Sequence, residues 1–278
     1  MKLAGLVVFY NPNSRYLDNV EKYIAAVDKL YIVDNSEDDF RGIYSSLVQR
    51  YSGKIAVIEN RGNSGIARAL NLGAKNALRD GFQFLLTMDQ DSFFEIDDLY
   101  RFKKHIRSEK EDNIAIYAPR LNLEKSDGRK ACHEVITSGS ILKLDTWKKI
   151  KGFREDFFIY VVDIEYCWKI RRNGYFIRKY PDIVLQHQTD DFYFHNGKKE
   201  YCRNTSGITF YYVVRNNLYL ISEYIFIFPI WSLKRFVRMT RTWGRIYLIE
   251  NNKRMKRKYI RIAIVDFVRG VKGKRLGL

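Results

Sequence analysis

Two carboxylates two residues apart, in Asp89-Gln90-Asp91, follow the apolar run Phe84-Leu-Leu-Thr-Met88. Alternate residues of an extended chain point the same way, so both acids face one side where a buried strand emerges. Like charges held that close favour a divalent cation between them and a diphosphate. A solvated acidic turn is the competing reading, and the motif is short enough that its place in the fold must decide.

Asp163 stands at the start of a helical stretch with Glu165 in its first turn, directly after the run Phe157-Phe-Ile-Tyr-Val-Val162. Burial against those side chains would raise a carboxyl toward the range of a general base. Acids at a helix start also gain from the helix dipole, so plain capping accounts for the pair as well. His187 follows a short apolar strand. It is a ligand only if Asp91 is one, because imidazole with carboxylate suits Mn²⁺; a structural histidine is the alternative. Ahead of a helix near Ile66 lies Asn60-Arg-Gly-Asn-Ser-Gly65. There Asn63 or Ser64 is a natural N-cap, and free amides at such a helix start attract phosphate.

These residues need a scaffold, and the chain supplies a repeating one. Apolar runs at Leu3–Tyr10, Lys29–Val33, Ile55–Ile58 and Phe82–Met88 read as buried strands. Helical spacing at Tyr16–Val27, Phe40–Tyr51 and Ile66–Leu78 separates them. Such alternation predicts an α/β fold, a mainly parallel central sheet flanked by helices, with ligands at the carboxyl ends of the strands. Tyr10, Asp34, Asn60 and Asp89 occupy those ends. After residue 114 the pattern becomes mixed, with a helix at Ile164–Arg172 stopped by Asn173-Gly174. The expected division is a catalytic domain over 1–205 and a basic, aromatic helical region over 206–278.

Charge marks the second part. Of a formal net charge of +17, fifteen Lys or Arg against Glu250 and Asp266 between residues 234 and 278 contribute +13. A basic tail suits nucleic acid, an anionic membrane surface or polyphosphorylated substrates. Cys132, Cys167 and Cys202 form neither a disulfide framework nor a CxxC site, which fits a reducing cytosol. No export signal is expected from the N-terminus. Leu218–Trp231 is shorter than the roughly 20 residues a spanning helix needs.

Taken in order, Val7-Val-Phe-Tyr-Asn-Pro12, Ile32-Val-Asp-Asn-Ser36, Asn60–Gly65, Leu85-Leu-Thr-Met-Asp-Gln-Asp-Ser92 and Gly152-Phe-Arg-Glu-Asp-Phe-Phe158 through Gly174 resemble family 2 glycosyltransferases of the GT-A fold. The likeness is to their bacterial rhamnosyltransferase-like branch. It implies that Tyr10 and Asp34 border the nucleotide, that Asn63 and Gly65 lie near the donor, and that Asp89 and Asp91 form the metal-diphosphate motif. It further implies Asp163 as catalytic base and His187 beside the metal or diphosphate, with Mg²⁺ or Mn²⁺ as cofactor. The family's base is commonly preceded by an acid, whereas this chain has Val162. The implied activity is inverting transfer of a hexosyl group, L-rhamnose from dTDP-L-rhamnose foremost, with UDP-hexose or UDP-galactofuranose as the other donors. The implied acceptor is a lipid-diphosphate-linked glycan of bacterial surface polysaccharide synthesis, with the enzyme cytoplasmic and peripheral on the inner face of the cell membrane. Glu165, Arg215 and Asn216 are the expected acceptor contacts. Leu218–Trp231 would meet the anionic membrane surface, the catalytic domain or a second subunit of a homodimer. A nucleic-acid-binding protein would use the same tail and the 20 Tyr. That charge sits outside the alternating core, however, and no nucleic-acid partner is expected. A nicotinamide oxidoreductase would need the glycine fingerprint that Tyr10-Asn-Pro-Asn13 replaces.

Overall fold

The structure is a computed structural model that describes residues 1–60, 62–125, 128, 131–187, 207–244 and 253–277, with the backbone alone of 192–195, 198–201 and 245–248. Arg61, Cys202 and the boundary expected near residue 205 lie outside the described residues. Contacts divide the chain into one unit of residues 1–155 with 163–188 and another of 156–162 with 189–278.

The first unit begins as the apolar runs require. β1 (Leu3–Phe9), α1 (Ser14–Tyr23), β2 (Lys29–Asp34), α2 (Arg41–Arg50), β3 (Ile55–Glu59), α3 (Ile66–Arg79) and β4 (Phe84–Asp89) alternate, and the four strands are parallel in the order β3-β2-β1-β4. Every residue of β1 is buried, as a central strand covered on both faces demands. In register, Val8 lies beside Asp89, Phe9 beside Asp34, and Asp34 beside Glu59. The acids predicted at strand ends therefore share one edge of the sheet.

The sheet is parallel only on this side. β5 (Ser92–Phe94), α4 (Ile96–Ser108), β6 (Ile114–Leu121), β7 (Ala131–Cys132), β8 (Ile141–Lys143), α5 (Leu144–Lys149), α6 (Val162–Arg172) and β9 (Phe176–His187) continue the chain. β8 pairs antiparallel with both β4 and β6, β9 runs parallel to β6, and β5 pairs antiparallel with β9. Leu3, Val7, Phe9, Ile32, Leu86 and Phe94 are among the side chains of the main core, which α1 and α4 help to close through Val20, Tyr23, Leu99 and Phe102.

One glycine in this half is required by the site. Gly139 takes φ +75, donates its amide to Thr87 O at 2.7 Å and has Leu185 and Pro119 where a Cβ would stand. Thr87 donates its hydroxyl to Thr137 O at 2.5 Å and its amide to Ser140 O at 2.9 Å. Residues 137–140 are thus stitched along β4 just before Asp89.

The second unit holds the hairpin of β10 (Phe192–His195) and β11 (Lys198–Tyr201), then α7 (Gly207–Tyr224), α8 (Pro229–Leu248) and α9 (Lys253–Val268). Its core joins Phe158, Tyr211, Tyr212, Val214, Ile260 and Ala263. No helix of the described residues is long and apolar enough to cross a membrane.

Candidate active site

The middle residue of Asp89-Gln90-Asp91 is turned to a structural task. Gln90 accepts from the Tyr10 amide at 3.0 Å and donates to the Tyr10 carbonyl at 3.1 Å, tying the end of β1 to the end of β4. Asn19 donates to the Gln90 carbonyl at 3.0 Å. With Gln90 so engaged, the acids on either side are presented together. The Asp89 amide donates to Ser138 Oγ at 3.1 Å. Burial first, then the charges of Asp91 and Asp163, push the Asp89 carboxyl up to about 7.

His187 reaches this cluster through strand pairing. Ser92 on β5 is directly opposite His187 on β9. The Ser92 hydroxyl lies 2.6 Å from His187 Nδ1 and donates to Asp91 Oδ1 at 3.3 Å. His187 Nδ1 is 3.7 Å from Asp91 Oδ1. One ligand atom each from Asp89, Asp91 and His187 lie within 4.8 Å of one another, a two-oxygen, one-nitrogen set that fits a divalent cation.

On the far side of β1, Asp34 accepts from the Ser36 amide at 3.0 Å and from the Tyr44 hydroxyl at 2.8 Å. It lines a pocket of about 300 Å³ with Ser36, Asp38, Glu59, Asn60 and Gly62. Asn35 organises the neighbouring turn, accepting from Asn60 Nδ2 at 2.7 Å and the Ser64 amide at 3.1 Å. Asn63 Oδ1 accepts from Asn35 Nδ2 at 3.2 Å and the Gly65 amide at 3.1 Å. The N-cap of α3 is therefore Gly65, at φ +91 and without a side-chain cap, in place of the expected Asn63 or Ser64. Both candidates are occupied in holding the turn. Tyr10 stands exposed at the end of β1.

Asp163 lies in the first turn of α6, half-exposed, and accepts from the Ile164 amide at 2.8 Å. The next residue in sequence, Ile164, lines a second pocket of about 220 Å³ with Ala118, Pro119, Val135, Ile136 and Ser138. Ser138 connects that pocket to Asp89, and the charge of Asp163 acts on Asp89.

All three expected acceptor contacts are buried side chains. Glu165 is buried, with Lys169 Nζ 3.4 Å away. Arg215 and Asn216 are fully buried in the second unit. Asn216 donates to the carbonyls of Phe157, Ile159 and Tyr160 at 2.8, 2.9 and 3.0 Å, and Arg215 to Gly273 O at 2.9 Å and Tyr211 Oη at 3.1 Å. Arg215 and Asn216 serve as interior supports of this unit, Asn216 through three backbone carbonyls and Arg215 through a carbonyl and a tyrosine hydroxyl. The segment Asn216 holds needs support, since Phe158, Tyr160 and Val161 all have φ between 62 and 64. Bulky and β-branched residues pay for that conformation with strain. Asn216→Ala should lower unfolding free energy by about 1–3 kcal/mol, read in urea denaturation, because buried carbonyls lose their donor.

The sequence profile of Glycosyl transferase family 2 matches residues 6–175. The chain is 22% identical over 211 residues to the dTDP-rhamnosyl transferase RfbF of Shigella flexneri, spanning 68% of this chain and 70% of that protein. Among solved structures it is similar to S. aureus TarS 1–349, with TM-score 0.62 and 18% identity over 98% of this chain and 81% of that one. The same TarS segment in complex with UDP-GlcNAc gives 0.62 and 17% over 98% and 82%. GalNAc-T7 with UDP, GalNAc and Mn²⁺ gives 0.63 and 11% over 98% and 56%. At these identities the structural likeness speaks for the fold, GT-A, while the profile covers more than half of the chain. The chain belongs to glycosyl transferase family 2 and is a glycosyltransferase.

Proposed function

We propose that the protein transfers a hexosyl group with inversion from a nucleoside-diphosphate sugar, and that dTDP-L-rhamnose is the donor. The observation that carries the reading is the convergence of Asp89, Asp91 and His187 at the sheet edge that also bears Asp34. Asp89, Asp91 and His187 would hold Mg²⁺ or Mn²⁺, which when bound neutralises charge on the departing diphosphate. Tyr10 and Asp34 border the nucleotide, and Asn63 and Gly65 lie on the donor side of the turn that Asn35 organises.

Asp163 takes the proton from an acceptor hydroxyl. The freed oxygen forms a bond to the anomeric carbon, while the bond from that carbon to the diphosphate oxygen breaks and its electron pair leaves with the nucleoside diphosphate. One displacement inverts the anomeric centre.

The rhamnosyl donor is supported by the dTDP-rhamnosyl transferase relative. A UDP-sugar is the second reading, favoured by the UDP-GlcNAc bound to TarS. The acceptor is a lipid-diphosphate-linked glycan at the inner face of a bacterial membrane.

The donor is identified by thermal stabilisation against a panel of nucleotide sugars with Mn²⁺. The expected result is the largest shift with dTDP-L-rhamnose. A larger shift with a UDP-hexose reassigns the donor, and none with any nucleotide sugar removes the reading.

Ser92, which bridges Asp91 and His187, should act on cation affinity without being a ligand. Ser92→Ala should weaken Mn²⁺ binding by about 10–100-fold in a calorimetric titration.

A further inference from the structure

The helix α8 separates its side chains into two faces. Ser232 and Met239 are buried, Trp243 packs against the core of the second unit, and Arg235 donates to Asn217 on α7 at 2.5 Å. These positions recur at helical spacing and form the inward face. The opposite face is exposed. Ile230 and Leu233 are 65% and 63% exposed, Val237 follows one turn on, and Phe226 in the preceding turn is 96% exposed. Lys234, Arg238 and Arg241 lie exposed along the same face. Pro229–Leu248 contains no Asp or Glu.

An apolar stripe bordered by cations, on a helix with no acid of its own, limits what can cover it. A second copy related by a twofold axis would set these cations against their own counterparts. A nucleic acid would meet the cations but leave isoleucine, leucine and phenylalanine against water or phosphate. A bilayer with anionic headgroups satisfies both parts at once, apolar residues at the headgroup and acyl boundary and cations on lipid phosphate. A helix lying in the plane of the interface requires no spanning segment, in keeping with the absence of one among the described residues.

We propose that Phe226, Ile230, Leu233 and Val237, with Lys234, Arg238 and Arg241, form a docking face for an anionic membrane surface. The face gives the lipid-linked acceptor reading a means of reaching its substrate and rests on that reading for its purpose alone. Binding to lipid is a separate property from donor chemistry, and the test keeps them apart.

The test is flotation of the full chain with vesicles of phosphatidylcholine plus phosphatidylglycerol, and with phosphatidylcholine alone. The expected result is flotation with the mixed vesicles only, reversed by high salt. Two variants address the two halves of the face. The combination Ile230→Glu with Leu233→Glu should abolish flotation. Gln at Lys234, Arg238 and Arg241 should reduce partitioning by about 10²-fold, from the contribution of each cation near a charged surface. Because the variants change different exposed side chains, a folding failure in one leaves the other to decide. Thermal stabilisation by nucleotide sugar, measured on the same samples, should be unchanged. Flotation lost with donor stabilisation kept supports the docking face. Absent flotation of the wild type, equal flotation with neutral vesicles, or retained binding by a folded variant overturns it. A dimer seen by light scattering, abolished by the Glu variant and without vesicle binding, assigns the face to a second copy instead. Loss of donor stabilisation in the wild type would count against the proposed transferase reaction and leave the flotation result standing.

Discussion

Asp163→Asn should bind nucleotide sugar as the wild type does and lose turnover by about 10²- to 10⁴-fold, the usual size of general-base catalysis. The substitution keeps shape and removes the proton-accepting oxygen together with its negative charge. The half-exposed carboxyl sits in the first turn of α6 and accepts from the Ile164 amide. An Asn side-chain oxygen can accept the same bond, so the helix start should be retained. Donor affinity from calorimetry and turnover from release of nucleoside diphosphate separate the two effects. Near-normal turnover in Asp163→Asn would transfer the base to another residue.

Asp91→Ala should eliminate the cation dependence of donor binding. Asp91 contributes one of two oxygens to the three-ligand set and also anchors Ser92, which meets His187. Loss of a direct ligand should cost about 10²-fold or more in Mn²⁺ affinity, above the 10–100-fold typical of the groups behind the ligands. Calorimetry of nucleoside diphosphate with and without Mn²⁺ reads it directly. In the wild type the cation should tighten nucleotide binding, and in the variant the two titrations should coincide. An undiminished cation effect in Asp91→Ala would place the metal elsewhere.

The parallel half of the sheet was legible because three of its four strands, β1, β2 and β4, are largely buried. Leu3–Phe9 reads as apolar throughout and is buried throughout. Each strand end is then announced by a polar residue, and register puts Asp34 and Asp89 on either side of β1. The other half gave no comparable signal. β7 and β8 are two and three residues long, too short for any periodicity to register, and the sheet turns antiparallel there. His187 joins Asp91 through a three-residue strand, so nothing local to either residue reports the pairing. Gln90 shows a different limit, because its side chain bonds to Tyr10, 80 residues away.

The burial of Arg215 and Asn216 was legible in the sequence. With Asn217 they are three consecutive polar residues within the largely aromatic and aliphatic helix Gly207–Tyr224, which cannot all face solvent, and buried polar side chains carry partners. The partners are the carbonyls of residues 157, 159, 160 and 273, distant in sequence and so invisible to it. Glu165, read in the sequence as a first-turn acid of the same helix as Asp163, is buried beside Lys169, because helical geometry turns residues two apart to different faces.

The decisive measurement is release of nucleoside diphosphate from a nucleotide sugar by the wild type in Mn²⁺ and in chelator, beside Asp91→Ala and Asp163→Asn. The predicted result is release from dTDP-L-rhamnose that requires the cation and is lost in both variants. Release at the same rate in chelator and in both variants would contradict it, and so would the failure of every nucleotide sugar to yield a nucleoside diphosphate.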